Sequence, residues 1–439
     1  MRLEFKHYAK ELLNIALPII MGNLGFILIG AGDVLIAGRH STDTLAAISI
    51  ATAITNCIMT FGIGLIASVS PILSNIRGEK KSAKKYFFPT LRFAMILALI
   101  VMFLTLGFIP VVDYMHFEAK LVPDIKIYMF ITAFSTFGAY LHASLKEFLQ
   151  AFEIVVFPNL VTVICVFLNV ILNLILVFGF GPIPSLGVVG LAIASFIVRY
   201  FMGLALLFYC LGFMKFRDYH DKYYYRNLVK IGLPISLAIL VEFIAFNSVA
   251  IFMGRVSGVY AAAQNLVCTL TTVSFMVPLA ISNAIAVKVG FANGAKHYND
   301  LKNYSVIGML MCVGFMICSA MVFCTFPDFL VGLFTKDAVL VRICIPVLFV
   351  LAMFQIFDGL QVALAGIYKG IKKTKIVLIA NFVAYWLIAI PFGYRLAFVK
   401  GYNLIGFWYG LAFAGIALCV LMLVMLSRYF KRLKIEFGE

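Results

Sequence analysis

Apolar runs too long for a soluble core decide what this chain can fold into. Tyr304 to Pro327 and Asn403 to Ser427 carry no charge, and Ile231 to Met253 carries only Glu242. Each reaches the roughly 20 residues that cross a hydrocarbon core of about 30 Å. The chain is 64% hydrophobic and 12% charged, about half the charged share of an ordinary soluble domain. So few charges cannot cover a water-facing surface, and the runs read as membrane spans. The fold class is an all-α integral membrane protein.

Apolar runs bounded by charge, Pro and Gly place twelve transmembrane helices near 12–37, 47–74, 88–112, 124–150, 157–180, 186–211, 231–256, 261–290, 304–331, 341–368, 376–398 and 403–427. With the N-terminus in the cytoplasm, most Lys and Arg fall in cytoplasmic connections, as the positive-inside rule requires. The main clusters are Arg77 to Lys85, Lys215 to Lys230 and Lys369 to Lys375. Both termini are expected on the cytoplasmic side of a plasma or inner membrane. Residues 1–11 are basic and amphipathic with no clear cleavage site after them, so the first span is expected to be retained. The net charge of +16 follows from this topology; no nucleic-acid recognition motif accompanies it.

The chain repeats itself. Leu17-Pro18-Ile19 recurs as Leu233-Pro234-Ile235, Gly38-Arg39 as Gly254-Arg255, Ala46-Ala47 as Ala262-Ala263 and Gly78 as Gly294, all at one offset, and Gly190-Leu191-Ala192 recurs as Gly410-Leu411-Ala412 after a small insertion. This gives an N-terminal six-helix lobe (1–214), a cytoplasmic linker (215–230) and a C-terminal six-helix lobe (231–439). Six is even, so both lobes enter the membrane from one side and their pseudo-two-fold axis runs along the membrane normal. Parallel repeats of this kind are typical of secondary transporters, and duplication within one chain makes a monomer sufficient.

Ionisable groups at bilayer depth cost several kcal/mol and face protein or water cavities. Asp33, Glu242 and Asp358 lie inside spans with no obvious basic partner, which points to neutralisation by protons, metal cations or cationic substrate. Asn169 and Asn173 are four apart, so their amides stack on one helix face and are candidate oxygen ligands beside Asp33 for sodium. Helix-packing hydrogen bonds are the alternative reading of that pair. Arg199, within the sixth span, either snorkels or pairs with an acid. Lys146, Glu147 and Glu153 fall at a span end, where headgroup-level exposure is expected.

Among 43 Phe, 20 Tyr and 2 Trp, helix position selects Phe26, Phe246, Phe275, Phe354 and Tyr385 as candidate cavity residues, with Gln264 and Gln361; ring faces there would suit flat cations. Catalytic motifs such as HExxH and GxSxG are missing, as is the P-loop of an ATP-driven pump. The nine cysteines lie in apolar stretches without CxxC or Cys/His spacing, so neither disulfides nor zinc is implied. No enzyme activity and no cofactor is expected; energy must come from an ion gradient.

These residues together resemble the multidrug and toxic compound extrusion family, MATE, in its NorM-like branch. The resemblance is carried by Ala16-Leu17-Pro18, Gly30-Ala31-Gly32-Asp33-Val34, Ala37-Gly38-Arg39 and Leu45-Ala46-Ala47, by Leu233-Pro234-Ile235 with Glu242 and Ala262-Ala263-Gln264, by Leu168-Asn169-Val170-Ile171-Leu172-Asn173, by Asp358-Gly359-Leu360-Gln361 with Ala365-Gly366, and by Tyr385-Trp386 through Pro391-Phe392-Gly393-Tyr394. It implies a pair of six-helix lobes exporting compounds against sodium or proton influx, with an N-lobe cation site on Asp33, Asn169 and Asn173 and C-lobe acids at Glu242 and Asp358. The chain departs from that pattern at Phe354, where NorM-like relatives tend to carry Tyr, and at Gln150-Ala151-Phe152-Glu153, which lacks the usual glycine and basic residue.

The expected function is therefore a cation-coupled antiporter, using Na+ or H+, that exports small organic, often cationic, compounds across the cytoplasmic membrane by alternating access. Two other classes compete. Export of a lipid-linked or glycan precursor would want a basic cavity, because phosphorylated substrates need cationic partners. A membrane scaffold or receptor would leave three buried acids unexplained.

Overall fold

The computed structural model describes residues 2–182, 184–213, 219 and 221–437. The helices are α1 (Arg2–His40), α2 (Thr42–Ile66, continuing after a break as Val69–Gly78), α3 (Phe87–Phe108), α4 (Val122–Ala151), α5 (Val156–Phe178), α6 (Gly187–Phe213), α7 (Lys222–Val256), α8 (Gly258–Ala295), α9 (Tyr298–Thr325), α10 (Ala338–Gly370), α11 (Thr374–Val399) and α12 (Asn403–Glu436). Of the expected linker, 215–218 and 220 lie outside the described residues, and Lys222 onward already belongs to α7.

Eleven of these helices are long and apolar enough to cross a membrane. The exception is α4, whose buried face carries Tyr128, Thr132, Ser135, Thr136, Tyr140, His142 and Ser144. Its polarity is internal, turned toward protein. On α3, by contrast, Ile96, Phe103 and Leu104 are more than half exposed, as lipid-facing side chains are and water-facing ones seldom are. The protein is a helical integral membrane protein.

The sequence repeat returns as repeated local geometry. Ser41 caps α2 by accepting from the Thr44 amide at 3.0 Å, and its counterpart Ser257 caps α8 by accepting from the Tyr260 amide at 3.3 Å. The two caps share one extended backbone shape, with φ near −165° in both. A serine oxygen there satisfies an orphan amide of the first turn. Lys80 and Lys296 both turn the chain in the left-handed region, as do Glu153 and Lys372. Pro18 and Pro234 sit inside α1 and α7, each removing one helical hydrogen bond.

Contacts divide the chain into two compact units. One comprises Pro18–Leu73 and Ser82–Ser236; the other comprises Met1–Leu17, Ser74–Lys81 and Leu237–Glu439. In the first, an apolar cluster of Ile36, Ala37, Ile48, Ile125, Met129 and Val177 closes one end of the helices around Asp33. The same unit needs close backbone approach at Gly138, where an added Cβ would stand 2.7 Å from the Tyr200 nitrogen and 2.9 Å from the Arg199 oxygen. That approach seats α6 on α4 and brings Arg199 to the polar face of α4.

Candidate functional site

Two polar centres lie at depth, one in each unit. In the first, Asp33 of α1 faces α5 and α6. Asn173 Nδ2 donates to Asp33 Oδ1 at 2.6 Å and Asn169 Nδ2 to the same oxygen at 3.1 Å, while Ser195 Oγ donates to Oδ2 at 3.3 Å. Asn169 and Asn173 are fully buried, and Asn173 Nδ2 also reaches Asn169 Oδ1 at 3.2 Å. The four-residue spacing stacks the amides, and the bare Gly32 leaves room beside them. Three donors on one carboxylate is the pattern an ionised acid requires in an apolar wall.

One atom in this centre is left over. Asn173 Oδ1 is buried without a hydrogen-bond partner. Which end of an amide points where is set by its neighbours: with the Asp33 carboxylate between them, both amides turn their NH2 groups toward it. A cation beside Asp33 would reverse that preference and bring the two amide oxygens round as hard ligands. The residues therefore suit a bare proton-free carboxylate with donors, or a small cation with oxygens.

Arg199 stands near this centre without bridging to it among the described residues. Its guanidinium donates to Ser135 Oγ at 2.7 Å and approaches Met59 Sδ at 3.6 Å. It is held by a hydroxyl on α4 and makes no direct ion pair among the described residues, with Asp33 as an electrostatic neighbour.

The second centre gathers Glu242 of α7, Asp358 and Gln361 of α10, and Asn381 and Tyr385 of α11. Tyr385 Oη lies 3.3 Å from Glu242 Oε1 and 3.2 Å from Gln361 Oε1, and Asn381 Nδ2 lies 3.4 Å from Glu242 Oε2. One hydroxyl proton serves two acceptors, so only one can be satisfied at a time. Tyr385 falls in a widened π-helical stretch, Val383–Ala389, which precedes Pro391; wide turns of this sort often mark functional positions. Asp358 is buried, 4% exposed, and Glu242 is its electrostatic neighbour. Asp358 makes no hydrogen bond among the described residues. Two adjacent carboxyls in such surroundings hold together once a proton or cation offsets the second charge.

Aromatic rings wall this centre. Phe246 meets Phe354, Tyr385 and Trp408 at centroid distances of 6.1, 5.9 and 6.1 Å, and Phe354 meets Trp408 edge-on at 5.6 Å. The Trp408 indole donates to Gln264 Oε1 at 2.9 Å. Thus Phe246, Phe354, Tyr385, Gln361 and, by way of Trp408, Gln264 are brought together. Phe275 has no ring contact among the described residues, and Phe26 lies in the other unit against His142 and Lys146.

The MatE family profile matches residues 18–175 and 234–395, two segments that contain Asp33, Asn169, Asn173, Glu242, Asp358 and Tyr385. The chain belongs to the MatE family. It is 29% identical over 430 residues to the probable multidrug resistance protein NorM of Haemophilus ducreyi, covering 93% of this chain and 92% of that protein. It is 28% identical over 445 residues to the multidrug resistance protein NorM of Vibrio parahaemolyticus, covering 98% and 97%. The MatE fold is shared with solved structures of a MOP superfamily transporter from Pyrococcus furiosus (18% identity, TM-score 0.88, 97% of each chain) and of a eukaryotic MATE transporter (18% identity, TM-score 0.87, 99% of this chain and 100% of that one).

Several members of these centres escaped the reading of the MatE sequence. Ser195 and Asn381 are small polar residues in apolar helices, and no spacing rule joins them to Asp33 or Glu242. Trp408 was the one signal available: one of two tryptophans, in an apolar helix, where a buried indole N–H needs an acceptor.

Proposed function

We propose that this MatE protein is a cation-coupled exporter, exchanging Na+ or H+ for small organic, often cationic, compounds by alternating access. Names of the relatives, multidrug resistance proteins, support the class of cargo. The observation that carries the coupling is Asp33, surrounded by Asn169, Asn173 and Ser195, with Asn173 Oδ1 unused.

In this reading Asp33 holds the coupling cation, and the two amides exchange donor for acceptor ends as it arrives and leaves. Glu242 and Asp358 hold the second positive species, either a proton shared between their carboxyls or the charge of an organic cation resting on Phe246. Proton and cargo exclude one another at Glu242 and Asp358 because each supplies the same missing charge. That exclusion makes the cycle an exchange and not a leak.

The test is efflux of a cationic dye from right-side-out vesicles under separately imposed sodium and proton gradients. Acceleration by an inward gradient of either ion, lost in Asp33→Asn, is the expected result. Efflux indifferent to both gradients would reject coupling.

A further inference from the structure

We propose that Phe26, His142 and Lys146, in the unit that holds Asp33, form a separate binding subsite for the carboxylate of an aromatic compound. His142 and Lys146 are four apart on one face of α4. Lys146 Nζ stands 5.8 Å from the centroid of Phe26 on α1, and the His142 ring lies 5.8 Å from the same phenyl ring. Lys146 is half-buried, where its place near the end of α4 suggests full exposure.

The nitrogens here are short of partners. His142 is 3% exposed and its Nε2 has no hydrogen-bond partner. Asn23, about one turn before Phe26 on α1, buries an Nδ2 that is equally unpartnered. Lys146 makes no hydrogen bond or ion pair among the described residues, and the acid that acts on its charge is its chain neighbour Glu147. Buried polar nitrogens left unsatisfied are costly, on the order of 1–3 kcal/mol each; a ligand acceptor satisfies the Asn23 amide and the Lys146 ammonium, and His142 in its Nε2–H tautomer.

A carboxylate fits this arrangement. It opposes the ammonium charge and offers only acceptors, two oxygens for N–H groups on α1 and α4. Phe26 is 48% exposed, so its ring has open surface for the aromatic body of the ligand. The polarity is opposite to that of Asp33, which lies seven residues along α1, two turns or about 10 Å away on the same face. A role in transport rests on the exchange proposed above; binding does not.

Equilibrium dialysis of purified full-length protein, with no ion gradient, tests the subsite with 2-naphthoate and its neutral isostere 2-naphthylmethanol. The acid is expected to bind roughly tenfold more tightly than the alcohol, about the worth of a charge-assisted pair. Lys146→Met should remove that tenfold preference and Lys146→Arg should keep it. Equal affinity for acid and alcohol in the wild-type protein, or an undiminished preference in Lys146→Met, overturns the proposal. Should Lys146→Met not fold, Phe26→Ala decides: a weakening of about fivefold or more supports the ring contact, and unchanged binding overturns it. Because no gradient is applied, failure of ion coupling and failure of this subsite give separate results.

Discussion

Asn173 Nδ2 reaches Asp33 Oδ1 at 2.6 Å from a neighbouring helix, the shortest of three donors on that carboxylate. Replacing Asn173 by Ala removes the amide oxygen that the proposed cation site would use as a ligand, and should weaken cation-dependent thermal stabilisation of the purified protein by roughly tenfold in ion concentration. An Asn173→Ala protein with an unchanged ion titration would detach Asn173 from the cation.

Glu242 and Asp358 are expected to act as a unit. Glu242→Gln and Asp358→Asn should each abolish gradient-driven efflux while the protein still inserts, and the double variant should lose little more than either single one, since neighbouring charges are strongly non-additive. Efflux in vesicles, with insertion checked by surface labelling, measures this. Additive partial losses would mean two independent groups.

Trp408 ties the aromatic wall to Gln264. Trp408→Phe keeps most of the ring but leaves Gln264 Oε1 buried without its donor, at a cost of about 1–3 kcal/mol. The melting temperature in detergent should fall, and Gln264→Leu combined with Trp408→Phe should recover part of the loss. No recovery in the pair would show that the indole packs and does not bond.

Lys372 lies between α10 and α11, outside the spans, and burial pushes its ammonium below the ordinary value of 10.5, against a smaller opposing pull from Glu79. The folded protein therefore sheds this proton at lower pH than the unfolded chain. Between those two values stability must rise with pH, because the unfolded state binds more protons. Lys372→Met should flatten that rise in melting curves taken across the alkaline range, and a slope equal to wild type would place the effect elsewhere.

Spans, repeat and acids could all be read before any coordinates, because each has a period or a cost. An apolar run has a length, a duplicated Leu-Pro-Ile has an offset, and an acid in hydrocarbon needs a reason. Asn169 and Asn173 were legible as a stacked pair for the same cause: four residues is one turn. Arg199 was not, since whether a cation meets an acid, a hydroxyl or a headgroup depends on the rotation of α6 against α4, which Gly138 sets by backbone contact and which carries no charge signature. Lys146 misled in a similar way. Its place near a helix end suggested full exposure, but Phe26 arrives from a helix more than a hundred residues earlier in the chain and covers part of it.

The matched serine caps show that duplication copied the scaffold of each half, helix prolines and left-handed turns included. Its chemistry was not copied. Asp33 corresponds to Val249, and Glu242 to Phe26, so each half carries its carboxylate where the other holds hydrocarbon. A protein assembled from two identical halves would keep the repeated caps and prolines and lose one of its two acidic centres, so the inequality of the twins, and not their likeness, is what supplies both.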